Sequence, residues 1–334
     1  MRPGWVLAGI AAVVAAALLG VTVGPVRIGA ADALRSVVGL PSGLDPLQRA
    51  ILHELRLPRV VLGLLVGGTL SLCGAGYQAV FRNPLADPYL LGAAAGAGLG
   101  VTLVITGAAA GAPVPLSAPV AAFAGSLAAV ALTWLLGAAS GARGSTAALI
   151  LAGVAVGAFL TALQTFLQQR DVDTIRTVYS WILGRLSTAG WRDVAVVTPY
   201  AAAAATVLLV RRRVLDVLAV GDDEAATLGV HPTRVRVVVV AAASLGTAAA
   251  VSVSGLIGFV GIIVPHTVRL LAGTSNRVVL PLSVMFGGSF LCLTDLLART
   301  LIAPAEIPIG VVTAFFGAPF FVLVLRTSRR GVGG

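Results

Sequence analysis

The side chains able to do chemistry are few and scattered. Three histidines, 13 acidic residues and two cysteines stand among 334 positions, with 23 basic residues that are all arginine. His266 follows Pro265 in an otherwise apolar run; imidazole is a common iron ligand, but a lone histidine on such a run more often makes a structural hydrogen bond. Cys73 and Cys292 both fall inside apolar stretches, where buried thiols behave as small inert groups, so no disulfide framework is expected. No HExxH, CxxC, GxSxG or paired-carboxylate arrangement is present, which leaves an intramembrane enzyme little to work with. A Walker A loop needs its lysine on the nucleotide phosphates, and the chain contains none. Any ATP hydrolysis must come from a partner, and the chain is expected to be no enzyme and to hold no metal or cofactor.

The charged groups that remain lie between long apolar stretches. The chain is 58% hydrophobic and 11% charged, against about a quarter charged in a soluble domain. Segments free of Asp, Glu and Arg recur at 5–26, 60–81, 88–142, 144–169, 194–210, 237–265, 278–294 and 307–325. A spanning helix needs about 20 apolar residues. The 88–142 stretch holds two, broken at Pro113 and Pro115, and a break near Ser252, Ser254 and Gly255 divides the run from 237 into one span and a shorter one over about 256–272. Ten spans result. Helix is the expected conformation throughout, because the spans show no alternation of period two and only helices and closed barrels satisfy the backbone in lipid. Gly92, Gly96 and Gly100 recur at spacing four, a pattern that lets membrane helices approach closely; without a preceding strand it is no nucleotide loop.

Ten spans with a cytoplasmic N-terminus place 13 of the 23 arginines inside, including Arg211, Arg212 and Arg213 and the tail from Arg326 to Arg330. The formal charge of +10 is scattered between spans rather than gathered on one face, which argues against nucleic acid. Three long polar connections remain, at 27–59 and 169–193 outside and 211–236 inside. The last contains Asp222, Asp223 and Glu224, an acidic cluster suited to a helix start, and two short helices flanking Gly221 are expected there.

Four stretches carry a resemblance. LRLPRVVLGLLVGGTLSLCGAGYQAVFRNPLADPYLLGAAAGAGLG (55–100), GDDEAATLGV (221–230), GLIGFVGIIVPHTVRLLAG (255–273) and DLLARTLIAPAEIPIGVVTAFFGAPFF (295–321) together resemble the FecCD-type permeases, the membrane subunits of type II ABC importers for ferric siderophores, haem or cobalamin. RNPLADP, 82–88, is the most specific part. The resemblance implies an all-α polytopic subunit of about ten transmembrane helices, one permease domain over 1–334 with a cytoplasmic coupling segment at about 212–235. It implies a bacterial cytoplasmic (inner) membrane location, and pairing with a second permease subunit as a homodimer or heterodimer. It further implies two ABC ATPase subunits that hold ATP and Mg, and an extracytoplasmic substrate-binding protein.

Residue by residue, it implies ATPase coupling through Gly221, Asp222, Glu224, Leu228 and Gly229. It places a cytoplasmic gate at Ser145 and Thr146, where a helix cap is the plainer reading. Arg56, Arg59 and Arg299 become salt-bridge partners for glutamates of the binding protein, a role suited to the planar guanidinium. The plainer alternatives there are snorkelling of Arg59 to headgroups and an i,i+4 pair between Asp295 and Arg299. One departure stands out in TVYSWILGRLSTAGW, 177–191: Arg185 occupies a place where the family has a small residue. The cargo expected first is a ferric siderophore, then haem, then cobalamin. An ATP-independent channel would explain the spans equally well, but not a coupling segment, and the charged rings of a selective pore are missing.

Overall fold

A computed structural model describes residues 2–111, 116–139, 146–169 and 172–330. All regular structure among them is helical. In chain order the elements are α1 (Pro3–Thr22), α2 (Ala30–Val37), α3 (Pro46–Ala50), a π-helical turn (Ile51–Arg56), α4 (Leu57–Phe81), α5 (Ala93–Ala109), α6 (Ala118–Ala139), α7 (Thr146–Gln168), α8 (Val172–Ile182), α9 (Trp191–Leu218), α10 (Asp222–Thr227), α11 (Pro232–Ser254), α12 (Val260–Ala272), α13 (Asn276–Thr300) and α14 (Ile309–Arg330). Among the described residues seven candidate membrane spans are long and apolar enough to cross a bilayer: α1, α4 with its preceding turns, α6, α7, α9, α11 and α13. Three shorter apolar helices, α5, α12 and the 309–322 part of α14, bring the apolar helices to the ten expected from the uncharged stretches.

The starts and stops of these helices are written locally. Pro at the first turn opens α1, α4 and α11, where a missing amide costs nothing. Asp45 and Gln48 form a reciprocal capping box at α3, and Ser275 caps α13. The Gly255 break is present: α11 stops at Ser254, and Gly255 takes φ +70°, a left-handed region open to glycine.

Helix α4 is the axis of the fold. It packs on α13, α11, α9 and α12, and most of its span is buried, whereas α1, α7 and α9 bury only about a fifth of theirs. Such close packing rests on small residues. A Cβ on Gly67 would lie 2.3 Å from the Gly287 carbonyl oxygen of α13, and one on Gly74 would lie 2.1 Å from that of Gly261 in α12. Gly96 and Gly100 meet α6 in the same way, at 2.2 Å from the carbonyl oxygens of Gly125 and Ala121. The spacing-four glycines are therefore packing residues, except that Gly92 caps α5 at φ +80° and faces Val156 of α7.

Two stretches of irregular backbone meet inside the bundle, 82–92 after α4 and 255–259 after α11. Such backbone survives at membrane depth only where protein satisfies it, and the side chains of RNPLADPY do so. Asn83 Oδ1 accepts from the Leu85 amide at 3.0 Å and Asp87 Oδ1 from the Tyr89 amide at 2.7 Å. The Tyr89 hydroxyl donates to the Ile257 carbonyl at 3.0 Å and accepts from the Ile257 amide at 3.2 Å, joining the two stretches. From α4, Gln78 Nε2 donates to the carbonyls of Ala86 and Gly261, while Pro88 packs over Gly261. This motif is a set of local hydrogen-bond solutions for a chain that must leave the helix and re-enter it.

His266 differs from expectation. Its Nδ1 is buried without a hydrogen-bond partner, and the ring instead stands edge-on to Phe320 of α14 at 5.8 Å. Cys73 and Cys292 are free and buried.

Candidate functional sites at the two membrane faces

At one face, α9 does not stop where its apolar stretch does. No glycine or proline interrupts 200–218, so the helix continues through Arg211, Arg212 and Arg213 to Leu218. At 28 residues and about 1.5 Å per residue, it outruns a hydrocarbon core of about 30 Å. This corrects the expectation of two short helices flanking Gly221: the first is the end of α9, and the short helix α10 alone follows.

Two carboxylates fix this element on either side of Gly221. Asp216, near the end of α9, accepts from the Asn276 amide and from Ser275 Oγ at 2.7 Å, and lies 3.6 Å from Arg277. It thereby fastens α9 to the start of α13. Asp222, the first residue of α10, accepts from Arg236 Nη2 of α11 at 2.6 and 2.7 Å and from Arg82 at the end of α4. Arg236 is itself buried. The α10 exit is a Schellman turn: the Gly229 amide donates to Ala226 O and the Val230 amide to Ala225 O, with Gly229 at φ +78°. Glu224 reaches back over Gly221. Leu228 and Val220 stand well exposed at 68% and 69%. The result is a polar bracket with an apolar tip, tied to α4, α9, α11 and α13. Sequence reasoning missed Asp216, Arg82 and Arg236, whose partners are remote in the chain.

At the opposite face, Arg56, Arg59 and Arg299 do converge, and each guanidinium is engaged within the chain. Arg56, at the end of the π-helical turn, donates to the carbonyls of Val21 at 2.7 Å, Thr22 at 3.1 Å and Val26. Arg299 donates to the Gly20 carbonyl. Both clasp the end of α1, where carbonyls lack helical partners and the dipole is negative. Arg59 instead grips two carboxylates: Asp295 of α13 at 2.8 Å and Glu306 before α14 at 2.8 Å. Snorkelling of Arg59 is replaced by these pairs, while the i,i+4 pair between Asp295 and Arg299 is present but long, at 3.9 Å, because Asp295 is turned to Arg59. The hydrogen bonds from Arg59 hold the Glu306 carboxyl below its ordinary range, against the opposing effect of its partial burial.

Of the gate pair, Thr146 is the first residue of α7, and Ser145 lies outside the described residues. Among the described residues no group of three or more His, Cys, Asp or Glu could hold a metal.

Comparison with known proteins matches residues 12–327 to the FecCD transport family model. The chain is 42% identical to the cobalamin import system permease protein BtuC of Halobacterium salinarum over 86% of its own length and 76% of that protein's. It is 38% identical to the hemin transport system permease protein HmuU of Yersinia pestis, over 84% of each. A solved ABC transporter of metal-chelate type, in an inward-facing conformation, aligns with a TM-score of 0.86 at 28% identity, covering 98% of this chain and 100% of that one.

Proposed function

The chain belongs to the FecCD transport family, multi-pass ABC importer permeases for iron chelates, haem or cobalamin, and from that premise we propose that it passes a ferric siderophore inward across a bacterial inner membrane, driven by separate ATPase subunits. The observation that carries this reading is the bracket around Gly221. A surface segment whose exposed Leu228 and Val220 stand on a rigid base is built to be pushed by another protein, and its ties to four helices would deliver that push to the bundle. A channel has no use for such a lever.

The partners follow from surfaces left open. Two ABC ATPases would seat on residues 216–230. A second permease subunit would cover the apolar faces of α7 and α14, where Phe159 and Phe315 are exposed. An extracytoplasmic binding protein would dock at the Arg59 end. Of the three arginines proposed for that docking, Arg59 alone holds an exposed carboxylate, Glu306, that a partner's carboxylate could displace; Arg56 and Arg299 would reach a partner only by releasing α1. Ser145 and Thr146 are proposed to narrow the cytoplasmic end of the pathway, and a cysteine at Ser145 should cross-link to its mate in the second subunit in one nucleotide state. No cross-link in any state would count against the gate.

The lever is tested at Gly229. A valine there must hold a left-handed φ, which costs about 1–2 kcal/mol, and nothing lies within 4 Å of its Cβ, so the disturbance stays local to the α10 exit. In proteoliposomes with the partner ATPase, Gly229→Val should cut transport per ATP at least about fivefold, with ATPase activity and membrane insertion retained. Unchanged coupling, or wild-type uptake that needs no ATP, would sink the reading.

A further inference from the structure

A cavity of about 390 Å³ opens at the external mouth between α8, the turn at 184–187 and the 306–309 segment. Helix α8 has two faces. Thr174, Val178 and Trp181 are buried, and one turn round the helix Arg176, Tyr179 and Ser180 line the cavity, as spacing of three and four requires. Arg185 joins them from the turn, its backbone amide fixed to the Ser254 carbonyl at 2.8 Å. Arg59 and Glu306 also line the cavity, but they are paired with each other, and Asp295 belongs to Arg59 as well. Arg176 and Arg185 are exposed, and among the described residues no carboxylate pairs with either.

We propose that this cavity is a passage site for anionic cargo, in which Arg176 and Arg185 grip the peripheral carboxylate or catecholate oxygens of a metal chelate while the Tyr179 hydroxyl supplies a neutral donor; the Ser180 hydroxyl is already given to the Thr177 carbonyl at 2.8 Å. The fit is chemical. Two unpaired guanidiniums on a concave wall bind oxyanions bidentately and gain nothing from a chelate of neutral rim. The cavity is too small to enclose such a cargo and takes one edge of it, as a transfer point should. The assignment narrows the importer reading on which it rests: the cargo is an iron chelate bearing negative charge, rather than a neutral corrinoid.

Binding can be measured without the ATPase. Equilibrium dialysis of the permease in nanodiscs of neutral lipid would use radiolabelled ferric citrate and, as the uncharged probe, a neutral ferric trihydroxamate. Ferric citrate should be retained at least about tenfold better, and the preference should vanish in Arg176→Gln/Arg185→Gln and fade in 0.5 M salt, where exposed charges are screened. Both arginines are exposed, so the variant should keep the wild-type thermal midpoint, and Arg176→Lys/Arg185→Lys should keep part of the preference. Equal retention of the two probes, or a preference that survives in the double glutamine variant, would overturn the proposal. So would unchanged ferric citrate retention beside weakened binding-protein association, which would make the cavity a protein-docking site. Failure of the importer reading would show separately, as absence of ATP-driven uptake by the wild-type complex.

Discussion

Gly74→Leu is expected to abolish the folded permease. The Cβ alone would sit 2.1 Å from the Gly261 carbonyl oxygen and 2.7 Å from its Cα, and backbone cannot swing aside as a flexible side chain can. Overpacking by a methylene or two in a tight core costs about 1–3 kcal/mol; here α4 would have to leave α12, and with it the Gln78 bonds that hold the 82–92 stretch. Gly74→Ala should lower stability by about 3 kcal/mol, and the leucine variant should not be recovered as a monodisperse species from detergent. Gly157→Leu, where nothing lies within 4 Å, is the control and should keep the wild-type thermal midpoint. A stable Gly74→Leu protein would show that α4 and α12 do not pack as described.

The second large effect is expected at Arg59. Arg59→Gln leaves Asp295, only 7% exposed, without its hydrogen-bonded cation and with Arg299 alone, at 3.9 Å. Breaking a buried pair by removing one partner costs about 3–5 kcal/mol, so the thermal midpoint should fall steeply and Asp295→Asn in the same chain should recover part of the loss. Reversal of Arg59 to Glu would gather three carboxylates and is a poor docking test, because it unfolds what it is meant to probe. Glu306→Gln is the cleaner variant. It leaves the Arg59–Asp295 pair intact and costs little, as a pair with a 39% exposed partner should. Freed from Glu306, Arg59 should bind an acidic partner more tightly, and unchanged or weaker binding-protein association would reject docking at Arg59. The pH dependence has a fixed sign. The carboxyl of Glu306 is held below its ordinary value of 4.5 in the folded state, so its contribution is present above that value and lost as pH falls through the folded one. The stability curves of wild type and Glu306→Gln should converge in acid and separate toward neutrality.

Much of the architecture was legible because membrane insertion is a one-dimensional problem. Each span had to be apolar over about 20 residues, so ten apolar helices could be counted without knowing how any two touch. The break at Gly255 and the close-packing role of Gly96 and Gly100 were readable for the same reason: chain geometry and small size act at the residue itself. The absence of lysine told at once that this chain carries no Walker A loop. The RNPLADP motif was visible as a pattern, but its reason was not, since Tyr89 meets Ile257 across 168 residues.

Tertiary structure alone decided the use of the charges. Position placed Arg56, Arg59 and Arg299 at one face; it could not say that two of them would cap α1 while the third took Asp295 from 236 residues away. The nearer candidate, Arg299 at i+4 from Asp295, keeps only a 3.9 Å contact with it because its guanidinium is drawn to the Gly20 carbonyl, a partner created by the packing of α1 on α13. Likewise Arg82 and Arg236 meet at Asp222 only because the end of α4 lies beside the start of α11. Hydrophobicity fixes where a segment sits, through a transfer free energy summed along the chain. Pairing of polar groups depends on the neighbours that folding brings within about 3 Å, and linear sequence does not contain those distances.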